Sequence, residues 1–596
     1  MILPIAGLMF TSCLDFDVTG AEFSQTQENE EKVIRRGPVD DIKYDVEITE
    51  AELDEALNAT SKNLGVAMAG VYAMRGGKEG APPVTHQYQY QYALGVDQYA
   101  QYGVIPHVNF PYSGINLKSS YAIDEKCYGG AYGSFLTVAK NFIPLLNMEE
   151  IDQMPEIKAA FLLLYDYAAI EVADVYGPFP YQDIKTNKQE RPFIYDGVEE
   201  IYLAVEQNIK SIVDCFNHFE GNRDAGYKQK VLKTLSDRIP INLVCQEAGY
   251  QSLDYFIRFA NSLKLRMAMH IVKKDADRAK KWAEEAVKGG VIEATEQEMA
   301  LYPTVSGFTN PMLQLWNEWN DMRMSAGFEQ VLRAFNHPFL EMIFAKNERI
   351  VNQSDPSLTL EANQKVCGIL SGAHVGQEQG NPNNPYNGFS KLNQKCISEA
   401  PLYLMKLSEV CFLRAEGKIR GWDMMGDAKD FYEQGIAAGD VQDRIVQKKP
   451  YRGMYEKALP AYMEQDKATP FTYVDPTGND PDQVSQIVIG VKWDDNDTKE
   501  VKLEKIITQK YIAGFPNSFE AWVDLRRTGY PRLFKVLNPG DGDGSLKYGD
   551  IIRRLPFPDK NDPAVMKDIT DTGMKVLFGE DLQSTRLWWD PEKDNF

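Results

Sequence analysis

Residues 506–533 read IITQKYIAGFPNSFEAWVDLRRTGYPRL. Within this stretch Trp522, Arg526 and Arg527 fall one helical turn apart, so an indole face and a guanidinium can pack together and pair with neighbouring carboxylates. Gly529-Tyr530-Pro531 follows at once, and glycine followed by proline stops a helix. The cluster reads as a packing device in a helical scaffold, not as a reactive site.

Outward from it, helical periodicity dominates from about Ile48 onward. Residues 159–172, 198–216, 254–272, 276–288 and 400–420 place apolar side chains three and four apart. Residues 409–422 and 427–438 read as two helices joined by a short Gly-containing turn, with Ala415, Gly417, Gly421 and Gly435 at close approaches. Ala276, Ala279, Ala283 and Ala286 have the same small-residue spacing. Without a strict 34-residue register, these pairs are degenerate tetratricopeptide-type hairpins, and they predict a mostly α, right-handed scaffold. Long segments rich in Gly, Pro, Asn and Tyr interrupt it at 76–133, 345–400 and 440–500, and loops of that length in a compact body usually carry function.

Composition narrows the classes. The 596 residues carry 64 Lys+Arg against 86 Asp+Glu, a net charge of −22, which repels phosphate backbones and argues against nucleic acid. Seven cysteines without C-x-x-C spacing exclude a zinc ribbon or disulfide scaffold, and six read as small buried apolar residues. No H-E-x-x-H, G-x-S-x-G or G-x-x-x-x-G-K-[ST] occurs, so these catalytic templates are absent, and no motif implies a cofactor. Two carboxylates flanking a sugar would suffice for glycoside hydrolysis, and composition leaves that alternative open. Asp541-Gly-Asp543-Gly544-Ser545 resembles the start of a calcium loop, but Leu546 stands where such a loop needs glycine, so a surface turn is expected, with structural calcium as the alternative.

The seventh cysteine is Cys13. Residues 2–10 are apolar and uncharged and run into Thr11-Ser12-Cys13, the pattern of a secretory apolar region ending in a lipoprotein cleavage box. At nine residues the run is far below the roughly 20 a membrane span needs. The organisation expected is a cleaved remnant at 1–12, lipidation at Cys13, a flexible tether over 13–45 and a single domain over 46–596.

Six stretches taken in order carry a family likeness: ADVYGPFPY at 173–181, FANSLKLR at 259–266, PLYLMKLSEVCFLRAEGKIRGW at 401–422, the opening stretch at 506–533, RRLPFP at 553–558 and RLWWD at 586–590. Together with Cys13 they resemble the SusD/RagB outer-membrane lipoproteins of the Bacteroidetes along nearly the whole chain. The resemblance implies a SusD-like fold whose loops carry the ligand site. It also implies a non-catalytic, lipid-anchored protein facing the exterior, which binds an oligomeric nutrient and delivers it to a SusC-like TonB-dependent barrel.

Ligand chemistry is read from side chains. Sugar rings stack apolar C–H faces on aromatic rings and bond through hydroxyls to amides and carboxylates. His86-Gln-Tyr-Gln-Tyr-Gln-Tyr92 would place Tyr88, Tyr90 and Tyr92 on one side if extended, with Tyr99, Tyr102, Asn109 and Tyr112 downstream. Trp316, Trp319 and Asn320 form a second candidate cluster in mid-chain; for both groups the alternative is packing against the helical body. Oligosaccharide capture is the leading reading. Oligopeptide capture, a surface glycoside hydrolase and a protein-binding adaptor are the alternatives.

Overall fold

The computed structural model describes residues 34–596 except Glu79, Pro111, Tyr112 and 442–448. Cys13, the apolar run before it, most of the tether and the candidate Tyr112 therefore lie outside the described residues. Arg35–Phe596 form one compact unit, so the body begins earlier than the predicted residue 46. Charge pairing explains the difference. Arg35 bridges Asp183 and Asp196 at 2.6 and 2.7 Å, and the Lys158 ammonium donates to the carbonyls of Pro38 and Asp41. Asp40 is buried against Lys185.

Helix dominates, as the periodicity predicts, and strands occur as short antiparallel pairs. Pro155–Tyr176 is the spine, apolar on nearly every side and opened by proline at its first position. It ends at Gly177, where φ is +85° and an added Cβ would lie 2.9 Å from Leu587, so both backbone and space demand glycine. Two hairpins pack onto the scaffold: Asp254–Ile271 with Ala276–Lys288, and Leu407–Ile419 with Ala428–Ala437. A Cβ on Gly435 would meet the Phe412 ring at 2.8 Å, the close approach that small-residue spacing predicts.

Two expectations change. Residues 400–406 are not helical: Leu402–Met405 is a strand paired with Met299–Leu301, and the helix starts at Leu407. The segment 440–500 contains a helix, Lys449–Met463. Cys127, Cys215, Cys245, Cys367, Cys396 and Cys411 are buried, as predicted.

The sequence signatures converge in space. The Arg526 guanidinium lies 3.7 Å over the Trp522 ring and donates to the carbonyls of Asp174 and Arg553. Arg554 donates to the Tyr176 carbonyl at 2.7 Å, and Trp522 Nε1 donates to the carbonyl of Ile552 at 2.9 Å. Arg527 pairs with Glu416 at 2.7 Å and Asp524 at 2.6 Å. Burial pushes the Glu416 carboxyl up, but the Arg527 and Arg420 guanidiniums outweigh it and hold the group down at about 2. Motifs from 174 to 590 thus form one interlocked scaffold core.

Candidate functional site

Two π-helical turns, Gln89–Ala93 and Gln314–Glu318, are tied together by the residues that flank and begin them. Such turns widen a helix by one residue and recur at functional positions. Thr85 Oγ1 donates to Gln314 Oε1, and Gln89 Nε2 donates to Asp321 Oδ2 at 2.6 Å. Gly103–Val104 pairs antiparallel with Arg323–Met324, which fixes the two segments in register.

Asp321 is the fastener. Its second oxygen accepts from Gln379 Nε2 at 2.6 Å and lies 3.8 Å from His107 Nε2, so one buried carboxylate joins four chain segments. Burial raises its pKa, opposed by His107 and the two amides. Beneath it, Arg323 is fully buried and donates to the carbonyls of Trp316, Met322 and Asn387 and, at 3.0 Å, to Asn320 Oδ1. Burial lowers that guanidinium to about 10, against the attraction of Glu348 and Asp321. The arginine thereby locks the turn on which Trp319 and Asn320 sit, with Asn320 held at a φ of +59°.

The sequence-predicted ligand residues divide in two. Tyr88, Tyr92, Tyr99, Tyr102 and Trp316 are at most 2% exposed and belong to the core. Residues 85–93 are helical, not extended. Tyr88 and Tyr92 therefore fall on one buried face, stacked at 4.4 Å, with Phe519 against Tyr92 at 5.2 Å. Tyr99 packs on Trp522 and Tyr121, while the Tyr102 hydroxyl donates to the carbonyl of Tyr511 at 2.6 Å. Trp316 closes over Gly103 and packs near Phe344. These five present no surface to a ligand in this conformation.

Tyr90, Asn109, Trp319 and Asn320 keep surface. Tyr90 is half-buried, edge-on to the exposed His86 at 5.1 Å. Asn109 lies in the Asn109–Phe110/Ile115–Asn116 hairpin and donates to Glu378 at 3.4 Å; the next residue, Gln379, donates to the Trp319 carbonyl. The 377–381 segment therefore bridges Asn109 to Trp319. Neither ring nitrogen of His107 and not Asn109 Oδ1 has a hydrogen-bond partner among the described residues. Sequence reasoning missed Asp321, His107 and Gln379 as site builders. Asp321 closes the 316–321 segment that the sequence singles out, but its partners come from distant segments.

The calcium-like segment is held by hydrogen bonds within the chain. Asp541 binds His374 at 2.7 Å, and the Asp543 carboxylate accepts the amides of Ser545 and Gln583. Among the described residues no group of three or more His, Cys, Asp or Glu side chains is placed to hold a metal ion, and no helix is long and apolar enough to cross a membrane.

A mostly helical scaffold with hairpin pairs, whose interrupting loops are tied together around Asp321, defines a class of helical-repeat scaffold protein. Within that class the chain belongs to the SusD-like family, described as "Susd and RagB outer membrane lipoprotein", whose model matches residues 42–590. No curated protein sequence matches. Among solved structures, a chitin-binding SusD homologue from Flavobacterium johnsoniae is 28% identical, with 89% of this chain and 100% of that one covered at a TM-score of 0.73. A SusD homologue from Bacteroides vulgatus is 25% identical over 91% and 100% of the two chains at 0.72. One from Bacteroides thetaiotaomicron, at 24% identity, 89% and 99% coverage and 0.69, shares the fold. The family's description makes its members outer-membrane lipoproteins, in keeping with the resemblance read from the six motifs.

Proposed function

We propose that the chain is a non-catalytic binding protein that captures oligosaccharide on the loop-built face and delivers it to a SusC-like TonB-dependent barrel. In this reading it is anchored to the outer membrane through Cys13 and faces the exterior. One observation carries the ligand class: Trp319 offers a partly exposed indole on a turn locked by Arg323, with the amides of Asn109 and Asn320 on the same bridged surface. A flat apolar ring rimmed by amides matches the C–H faces and hydroxyls of a sugar. The similarity to a chitin-binding homologue supports the same class. Capture without turnover fits the state of Asp321, whose two oxygens are engaged by Gln89 and Gln379.

The test is isothermal titration of the soluble chain, starting after Cys13, against oligosaccharide and oligopeptide panels with product analysis. Saturable sugar binding without product is expected. Binding of peptides alone would replace the ligand class, and product release would replace the mechanism.

A further inference from the structure

A concavity elsewhere in the molecule shares no lining residue with the loop face. It is a cleft of about 930 Å³ at the C-terminal ends of three helices, Asp254–Ile271, Leu407–Ile419 and Ser518–Thr528. Lys273, Arg420, Arg526, Arg527, Arg553 and Arg586 line it, in a protein whose net charge is −22.

These cations outnumber the carboxylates that serve them. Asp590, 1% exposed, receives Arg553 at 3.2 Å and Arg586 at 3.1 Å, and Arg526 and Lys273 also act on it electrostatically. Arg420 and Arg527 share Glu416, and Arg527 shares Asp524 with Lys510. Helix C-termini account for part of the remainder, each worth roughly half a negative charge. Lys273 donates to the Arg527 carbonyl at 3.0 Å and Arg553 to that of Arg526 at 2.9 Å. Against these six cations stand three carboxylates, one of them shared with Lys510, and three helix ends, which leaves a positive excess. Beyond them, the tail residue Glu592 reaches Arg586 at 3.8 Å.

Two further observations point the same way. Two buried N–H donors in this cluster, Arg526 Nη2 and Trp589 Nε1, have no acceptor among the described residues. The guanidinium of Arg526 is itself clamped between Trp522 and Trp589, at 3.7 and 4.8 Å, so it cannot swing away to find one. Burial lowers the pKa of both Lys273 and Arg553; the attraction of Asp590 opposes it and repulsion from neighbouring cations, Arg586 first, adds to it. Such crowding is relieved by a compact multiply charged anion.

We propose that this cleft binds a tetrahedral oxyanion, phosphate or sulfate, free or carried as an ester on an organic ligand, through Lys273, Arg553 and Arg586. The long Arg586–Glu592 contact is the one the oxyanion replaces. The site is independent of the oligosaccharide reading, because neither face contributes a residue to the other.

The experiment is isothermal titration of the full soluble chain with inorganic phosphate, sulfate and glucose 6-phosphate at constant ionic strength, with chloride as the balancing anion. Parallel titrations use Lys273→Gln and Arg586→Gln, whose unfolding midpoints are read alongside. One saturable site is expected, weakened at least about tenfold in either variant, since a charge-assisted hydrogen bond contributes on that order. Binding of glucose 6-phosphate as well as the free ions assigns an ester-accepting site; binding of the free ions alone assigns an ion site. Should Lys273→Gln fail to fold, the partly exposed Arg586 decides. Absence of saturable heat with all three probes, or equal affinity in Arg586→Gln and the parent, overturns the proposal.

Discussion

The Trp522 helix and the Trp319 turn each set a tryptophan beside a buried arginine, and they use the pair in opposite ways. Around Trp522 the ring is inside: Arg526 stacks on it, Arg527 is matched by Glu416 and Asp524, and the whole cluster joins motifs that are hundreds of residues apart. Around Trp319 the arginine is inside and the ring is left partly outside. Arg323 satisfies carbonyls and Asn320 from below, while the partly exposed Asn109 has an Oδ1 without a hydrogen-bond partner among the described residues. The Arg527 charge is matched by Glu416 and Asp524 and holds the scaffold, whereas an exposed ring beside amide side chains suits recognition. The contrast predicts that substitutions in the first region act on stability and those in the second on binding.

The largest effect is expected from Glu416→Ala. It leaves Arg527 buried without its bidentate partner, a loss of about 3–5 kcal/mol in denaturant unfolding. A double replacement of Glu416 and Arg527 by leucine and methionine should recover much of that loss, and failure to recover would show that the pair does more than match charge.

Next comes pH. Burial depresses His270, but Glu520 and Asp174 overcome it and raise the folded pKa from 6.5 to about 9. A raised folded pKa means the stabilisation is fully present below about 6.5 and is lost as pH rises through 9. The loss is on the order of 2–3 kcal/mol for a shift of that size. Unfolding curves from pH 6 to 10 should show this decline in the parent and a flatter profile in His270→Gln.

A smaller stability effect is expected from Asp321→Ala. It strands the amides of Gln89 and Gln379 at a cost of about 1–3 kcal/mol and should abolish oligosaccharide binding by releasing the 377–381 bridge. Retained affinity in that variant would break the link between the fastener and the face. Smallest in stability is Trp319→Ala, expected within about 0.5 kcal/mol of the parent because the ring is partly exposed, yet with affinity reduced tenfold or more.

How far the sequence was legible follows the same division. Trp522, Arg526 and Arg527 were readable because helical spacing alone fixes their common neighbourhood, and the alanine-spaced helix Ala276–Lys288 appears within the limits its pattern predicts. Leu402–Met405 was not readable as a strand, because its partner lies a hundred residues away and two such short segments carry little period of their own. The Tyr88–Tyr90–Tyr92 alternation misled for a related reason. An i, i+2, i+4 set fits a strand, but once the segment is helical Tyr88 and Tyr92 share the buried side and only Tyr90 turns outward. Asp321 ends the 316–321 candidate segment, yet nothing local reveals that Gln89, His107 and Gln379 meet there. Residues 35–45 look like tether by composition and become body through Arg35 and Asp40, whose partners are at 183–196.

The account rests on Trp319 and Asn109 forming the ligand face. The most direct test is a calorimetric titration of oligosaccharide, chitin fragments included, into a Trp319→Ala/Asn109→Ala double variant whose unfolding midpoint matches the parent. Saturable binding in the parent and none in the variant is the predicted result. Equal affinity in the two proteins would place the ligand elsewhere and contradict the account.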